Sequence, residues 1–190
     1  MKLKDFEIFK QKYSINCKTK SENYSVLSLY SFILQHENSD SDFWNVSAGN
    51  GFGDIDYILN NFDEDDWNKL TEDVINWTTY QKEILSEGLL TVNRYKNHYN
   101  QSEITNIEKR FEILPLLIKI ADTNNEIYDN IGDFIKICFP VINTTNLKMV
   151  ESIIEIKKWD DKIILNSKSI ECTKTENTEI INNLYNKVCC

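Results

Sequence analysis

Apolar residues recur at intervals of three and four along most of the chain, which is the spacing of one face of an α-helix. The clearest run is Ile104, Ile107, Phe111, Leu114, Ile118 and Ala121. The same spacing predicts further helices over about 22–36, from Asp54, from Asp63 through Trp77, from Thr78 toward Tyr95, from Thr123 to Pro140, around 147–154 and around 180–188.

Capping residues and prolines predict where several of these helices begin and end. A Thr followed three residues later by Glu or Gln is typical of a capping box, in which side chain and backbone bond reciprocally. Pro115 should kink its helix or split it in two, because proline cannot donate to the carbonyl four residues back. The capping patterns are Thr19 with Glu22, Thr78 with Gln81 and Thr123 with Glu126.

The pattern as a whole predicts an all-α fold of about eight helices in antiparallel pairs. The 190 residues suit a single domain over 1–190. A globular helical bundle and a short HEAT-like stack both fit, although no internal repeat supports the stack. One stretch, residues 162–172, fits either a small hairpin or a short helix, and helix is preferred.

Composition narrows the class of function. With 21 Lys and Arg against 30 Asp and Glu, the net charge is −9, which disfavours nucleic-acid binding because phosphate neutralisation needs a basic surplus. The charged start has no apolar signal core, and no apolar run is long enough for a bilayer. Five cysteines without a CxxC pattern indicate neither a disulfide framework nor a zinc site. We therefore expect a cytoplasmic protein with no membrane segment and no cofactor.

The charge is concentrated in one part of the chain. Residues 40–73 contain ten acidic residues and one lysine, so this acidic window holds the whole excess and the rest of the chain is balanced. Residues 1–20, in contrast, contain six lysines and two acidic residues. Four interpretations of the window remain open: a solvated face with helix N-caps, a surface for a basic protein, a calcium loop, or a pair of catalytic carboxylates.

The last two interpretations fit the residues poorly. The EF-hand spacing is absent, and no pair of carboxylates is singled out by its spacing. The glycine-rich segment Gly49–Asp54 lacks the P-loop lysine and is read as a turn that leads into a helix capped by Asp54. The two histidines, His36 and His98, form no HExxH motif, and no nucleophile elbow occurs. We expect no catalytic residue and no metal site.

Aromatic residues are interleaved with these acids, as at protein interfaces. Trp67 and Trp77 lie on the apolar stripe and are predicted to be core, and Trp159 is predicted to be half-buried near a helix end. Trp44, flanked by Asp42 and predicted to lie in a loop, is the tryptophan expected to touch a partner.

The segment from Trp44 to Asp54, running into Asp65-Asp66-Trp67 and followed by helices, resembles the immunity proteins that accompany bacterial polymorphic toxins. The resemblance is one of type: a small, acidic, helix-rich chain. It implies a non-enzymatic inhibitor that occludes the active site of a cognate toxin, which is often basic.

The sequence therefore predicts a protein-binding module that neutralises a basic toxin domain through an acidic surface with aromatic anchors. The alternatives are a helical-repeat scaffold or regulatory adaptor and, less favoured, a small enzyme with a carboxylate site. The residues predicted to contact the partner are Trp44, Phe52, Asp54, Asp56, Asp63, Asp65 and Asp66.

Overall fold

The computed structural model describes residues 3–13, 16–44, 51–90, 106–118, 125–142, 145–166 and 172–189. Every regular element within these ranges is helical and none is a strand, so the predicted all-α fold is confirmed. A short 3-10 helix covers Phe139–Val141. The α-helices are α1 (Leu3–Lys12), α2 (Tyr24–His36), α3 (Ser41–Trp44), α4 (Gly51–Asn60), α5 (Glu64–Val74), α6 (Thr79–Leu90), α7 (Ile107–Ile118), α8 (Asn125–Cys138), α9 (Leu147–Asn166) and α10 (Cys172–Cys189).

The two helices that the apolar spacing does not predict are α1 and α3. Helix α3 has four residues, which is too few for a periodicity to register. Helix α1 alternates lysines with a few apolar residues, and of these Phe6 is buried while Ile8 is 65% exposed. None of the described helices is both long and apolar enough to cross a membrane.

The chain divides into two compact units, Met1–Thr91 and Val92–Cys190. The described helices of the first unit are α1 to α6, and those of the second are α7 to α10 with the 3-10 helix. Each unit is described by itself below. The single domain predicted over 1–190 stays a prediction.

Helix α2 is the central element of the first unit, where it contacts α1, α4, α5 and α6. Its buried side chains point to several sides, as is expected of a helix enclosed by its neighbours. Helices α4 and α6 also approach closely, because Gly88 presents no side chain to Ile55, whose Cγ2 would lie 2.4 Å from a Cβ built on that glycine. The buried α2 residues are Val26, Leu27, Leu29, Tyr30, Ser31, Ile33 and Leu34.

A non-helical segment, residues 16–23, is fastened to these helices by hydrogen bonds; we call it the strap. Its most buried anchor is the carboxylate of Asp73 on α5, which is 4% exposed. Asp73 accepts hydrogen bonds from the Thr19 hydroxyl, from the backbone N–H of Lys20 at 2.7 Å, and from the indole N–H of Trp77 at 2.9 Å. Because charged acceptors form the stronger hydrogen bonds, this carboxylate is the main attachment of the strap.

The start of the strap is held by a second polar cluster. The Tyr30 hydroxyl accepts from the backbone N–H of Lys18 at 2.6 Å and lies 3.0 Å from both the Asn16 carbonyl oxygen and Gln81 Oε1. The Gln81 amide donates to the same carbonyl at 2.8 Å and to the buried Glu37 carboxylate at 3.2 Å. Burial raises the pKa of the Tyr30 hydroxyl to about 12. The hydroxyl therefore stays protonated and available to donate at neutral pH.

One predicted capping box is confirmed and another is wrong. Thr78 and Gln81 bond reciprocally at the start of α6, with distances of 3.1 and 3.2 Å. Thr19, however, donates to Asp73 and does not cap α2. Helix α2 begins at Tyr24, two residues after the predicted start, with Asn23 as its N-cap. The Asn23 side chain accepts from the backbone N–H of Val26 at 3.0 Å. The third predicted pattern depends on Thr123, which lies outside the described residues.

In the second unit, α7 packs on α9, and α10 packs on both α8 and α9. The rings of Phe111 and Phe134 lie 5.2 Å apart in its core. Helix α7 runs unbroken through Pro115, so of the two predicted outcomes, a kink or a split, the split does not occur. Gly132 brings α8 close to α10, because a Cβ there would lie 2.0 Å from Asn177 Oδ1.

The C-terminal part corrects one prediction and supports another. Helix α9 continues to Asn166, so Trp159 is well inside a helix and is buried at 7% exposure, not half-buried at a helix end. The ambiguous stretch is helical up to Asn166, and α10 begins at Cys172. Residues 167–171 lie outside the described ranges, as do those of the predicted extension of α6 toward Tyr95.

We predict that Asp73→Asn lowers the free energy of unfolding by about 2–3 kcal/mol, because its hydrogen-bond donors lose a charged acceptor in a buried site. The matched control is Asp65→Asn, on the same helix but exposed, which should cost less than about 1 kcal/mol. Urea denaturation followed by circular dichroism measures both. Equal stability of the two variants would contradict the role given to Asp73.

Candidate functional site

The acidic window lies in the first unit and, within the described residues, occupies α3, α4, α5 and the residues that flank them. Its ten carboxylates have different environments: Asp66 and Asp73 are buried, and Asp56 is half-buried. The acidic side chains of the window that remain exposed are Asp40, Asp42, Asp54, Asp63, Glu64, Asp65 and Glu72. The acidic residues that give the window its charge of −9 are therefore of two kinds, buried carboxylates with a structural role and carboxylates that remain exposed.

The first turn of α5 explains why several acids follow one another there. Asp63 is the N-cap and accepts from the backbone N–H of Asp66 at 2.9 Å, while the Asp66 carboxylate accepts from the backbone N–H of Asp63 at 3.2 Å. This is a capping box built from two aspartates. Glu64 and Asp65 complete the turn, where the helix dipole also favours negative charge.

Asp66 has a further structural role. Its Oδ1 accepts from the side-chain amide of Asn23 at 2.8 Å, which attaches the end of the strap to α5. Asp66 and Asp73 are seven residues apart, a helical rise of about 10.5 Å. The strap residues that they hold, Asn23 and Lys20, are three residues apart, which spans about 10 Å when extended. The strap thus runs along two turns of α5 in the opposite direction.

Helix α4 begins three residues earlier than predicted. It starts at Gly51, so Asp54 is in its first turn and is not its N-cap. None of the described glycines has a positive φ, so Gly51 is not a turn residue. A Cβ there would lie 2.7 Å from the Trp44 ring and 2.8 Å from the Phe43 ring. Its missing side chain therefore allows the helix backbone to pack on these rings.

Trp44 is the last residue of α3 and is buried at 5% exposure, so its predicted position in an accessible loop is wrong. Its ring lies 5.1 Å from that of Phe43, 6.2 Å from that of Phe32 and 5.3 Å from that of Phe52. Its indole N–H is buried and has no hydrogen-bond acceptor in the described part of the chain. This aromatic cluster joins α2, α3 and the start of α4.

Helix α4 carries two aromatic residues that are more accessible than Trp44 of α3. Phe52 is half-buried at the edge of the aromatic cluster, and Tyr57 is 71% exposed. Tyr57 follows Asp54 by three residues, so the two side chains are neighbours on one face of the helix. Tyr57 is not among the seven predicted contacts, although it is the most exposed aromatic side chain of the window.

Asp54 is electrostatically coupled to His36 at the end of α2. Partial burial raises the pKa of the Asp54 carboxyl, and the charge of His36 opposes this shift. Burial likewise lowers the pKa of His36, and Asp54 opposes it. The His36 ring stacks on Phe43 with centroids 4.2 Å apart and planes 12° apart. The acidic face of α4 therefore adjoins the aromatic cluster through this pair.

The remaining predicted contacts, Asp56 and Asp65, differ in their surroundings. Asp56 accepts from the Asn60 amide one turn later at 3.1 Å. Asp65 is exposed, and its charge helps to raise the pKa of Lys69, although the hydrogen bond from Lys69 to Glu72 contributes most to that shift. Lys69, the one base of the window, is thus already paired with Glu72 at 2.9 Å.

The described residues contain no group of three or more His, Cys, Asp or Glu side chains that could hold a metal ion. His98, the second histidine, lies outside the described ranges, as do Gly49 and Asn50. What the described side chains provide is a set of accessible carboxylates beside an exposed tyrosine, which suits recognition of a basic surface.

The sequence did not predict the structural role of Asp73 or the strap. Asp73 has the same residue type as its exposed neighbours, and its burial depends on Thr19 and Lys20, more than fifty positions away. One signal was available: Asp73, Trp77 and the apolar residues Leu70 and Val74 share the buried face of a predicted helix.

Comparison with known proteins finds no match: no family model, no curated protein and no solved structure is significantly similar to this chain. The function is therefore inferred from the chain's own residues.

We predict that Trp44→Phe lowers stability by less than about 1.5 kcal/mol, because removal of a buried N–H that lacks an acceptor among the described residues offsets part of the small cavity that it leaves. Trp44→Ala should lower stability by about 3–5 kcal/mol through the cavity left among the rings. Thermal and urea unfolding measure both variants. A Trp44→Ala protein as stable as the wild type would show that the cluster is not part of the core.

Proposed function

We propose that this protein is a non-enzymatic inhibitor of the immunity type, which binds a basic toxin domain through an acidic surface on its first unit. The observation that supports the proposal best is the confinement of the whole net charge to residues 40–73, most of whose carboxylates are exposed. Exposed side chains that all carry the same sign of charge are a feature of interfaces that form quickly with an oppositely charged partner.

Structural demands account for only part of this charge. Asp63 and Asp66 form the α5 capping box, Asp73 holds the strap, and Asp40 accepts from the backbone N–H of Phe43 at 3.0 Å. Asp42, Asp54, Glu64, Asp65 and Glu72 are exposed and are not caps. The helix dipole favours the four that lie in first turns, and Glu72 is paired with Lys69. All five nevertheless remain exposed and carry the same sign of charge, which suits a partner of opposite charge.

Under this proposal, the seven predicted contacts have two roles. Asp54, Asp56, Asp65 and the half-buried Phe52 form the contact surface, together with Tyr57 as an exposed aromatic anchor. Trp44, Asp63 and Asp66 instead position that surface, the first by packing and the other two by capping α5. A surface of this kind has to supply about 800 Å² for an interface of ordinary size.

The product of the gene next to this one is the expected partner, and it should be toxic when produced alone and harmless when produced with this protein. The double variant Asp54→Lys with Glu64→Lys should bind it ~10-fold or more weakly and lose protection, since both reversals oppose electrostatic attraction. Calorimetry measures the affinity, and growth of the producing cells measures protection.

The matched control is Glu151→Lys with Glu179→Lys, which makes the same charge change at exposed positions of α9 and α10. It should bind and protect like the wild type. If the two double variants weaken binding equally, net charge and not the acidic surface is responsible. If Asp54→Lys with Glu64→Lys, folded by circular dichroism, binds like the wild type, the proposal is wrong.

A further inference from the structure

A polar cavity of about 620 Å³ opens between the strap and α5 in the first unit. Positions 65, 69, 72, 73 and 76 are spaced by three and four, so they form one face of α5 and its C-terminal end. The strap forms the other side, held there by Asp73 and Asp66. The lining residues are Lys20, Ser21, Glu22, Asn23, Asp65, Lys69, Glu72, Asp73 and Asn76.

The lining contains no aliphatic or aromatic side chain, which distinguishes the cavity from sites for apolar small molecules. Several of its polar groups already have partners. Lys69 is paired with Glu72, and the Asp73 carboxylate is occupied by the strap, by Trp77 and by the Asn76 amide at 3.4 Å. These groups shape the cavity and leave little capacity for a ligand.

The remaining ionic groups are those of Glu22, Asp65 and Lys20. Within the described residues, none of these three side chains makes an ion pair or a side-chain hydrogen bond, and Lys20 bonds to Asp73 only through its backbone. The lining thus includes two carboxylates and one ammonium group without such partners, out of four carboxylates and two lysines in all. The cavity is complementary to a cation with several hydrogen-bond donors.

We propose that this cavity binds the guanidinium group of an arginine in a loop of the protein partner. A guanidinium presents five N–H donors in a planar fork that matches carboxylates, and it loses its hydration more readily than an ammonium does. The cavity is larger than one side chain, so the backbone beside the arginine enters as well. It then lies next to Asn23 and Asn76, whose amides are bonded to Asp66 and Asp73 and report on its entry. That the arginine belongs to a toxin rests on the proposed function, whereas the preference for guanidinium rests on the cavity alone.

The test is a titration of the full-length, ¹⁵N-labelled protein with the peptide acetyl-Gly-Arg-Gly-amide, followed by NMR. Saturable shifts are expected at the side-chain amides of Asn23 and Asn76 and at the backbone of the strap, with a Kd on the order of 1 mM. The lysine peptide should bind several-fold more weakly. The citrulline peptide, which keeps the shape but lacks the charge, should cause no saturable shift.

Variants with opposite expected effects separate binding from folding. Glu22→Gln with Asp65→Asn should raise the Kd for the arginine peptide at least ~10-fold, since both unpaired carboxylates are lost. Lys20→Gln should lower the Kd, because it removes the ammonium that repels the guanidinium, and loss of structure cannot imitate a gain. The matched control, Glu151→Gln with Glu179→Gln, neutralises two exposed acids that are not part of the lining and should bind like the wild type.

The proposal is overturned if the shifts spread over all exposed acids, if citrulline binds as well as arginine, or if the cavity variant binds like the control. The proposed function is judged separately, by Asp54→Lys with Glu64→Lys, which leaves the cavity lining unchanged. Partner binding that responds to those reversals but not to Glu22→Gln with Asp65→Asn would remove only the cavity assignment. If the arginine peptide binds but the product of the neighbouring gene is not toxic, the cavity assignment stands and the assignment of the partner as a toxin is wrong.

Discussion

The attachment of the strap to the buried carboxylate of Asp73 is the interaction on which the rest of the first unit depends. It joins residues 19 and 20 to α5 across more than fifty positions of chain. One side of the polar cavity is the strap, so the cavity exists only while this attachment holds. The bond from Asn23 to Asp66 extends the attachment to the start of α5 and also fixes the residue that caps α2.

The same chemical group serves opposite purposes along the acidic window. Buried at positions 66 and 73, the carboxylate accepts hydrogen bonds from distant parts of the chain and fixes the fold. Exposed at positions 54 and 65, it is left to solvent or to a partner. Because a buried carboxylate is tolerated only when hydrogen-bonded, while exposed ones repel each other, the two groups respond differently to substitution. Charge reversal therefore tests partner binding only at the exposed carboxylates, because at the buried ones it would also disturb the fold.

Much of the fold could be predicted because it depends on local spacing. The apolar stripe of Trp67, Leu70, Val74 and Trp77 identifies α5 and its buried face, and Thr78 with Gln81 marks the start of α6. Both signals act within a few residues, where propensity and hydrogen bonding decide the conformation. The all-α class follows from repeating such segments.

The errors arise where a distant residue competes for a local group. Thr19 has the spacing of a helix cap but donates to Asp73, so Asn23 caps α2 instead. Gly51 is of the type found in turns, yet it begins α4, and the Trp44 ring occupies the place that a side chain would take. Trp44 itself follows a polar stretch and still is buried, since rings from α2 and α4 surround it. Thr19 and Asp73 are far apart in the chain, and the contacts of Trp44 with Gly51 and Phe52 depend on the packing of α3 on α4, so helical spacing alone does not predict them.

The most direct test of the central claim, that the exposed acids of α4 and α5 bind a basic protein, is the association rate with the neighbouring gene's product as a function of salt. The account predicts a rate that falls ~10–10³-fold as ionic strength rises from low to high, with a dissociation rate that changes little. It also predicts a shallower salt dependence for Asp54→Lys with Glu64→Lys. An association rate independent of salt, or equally dependent on salt in both proteins, would contradict it.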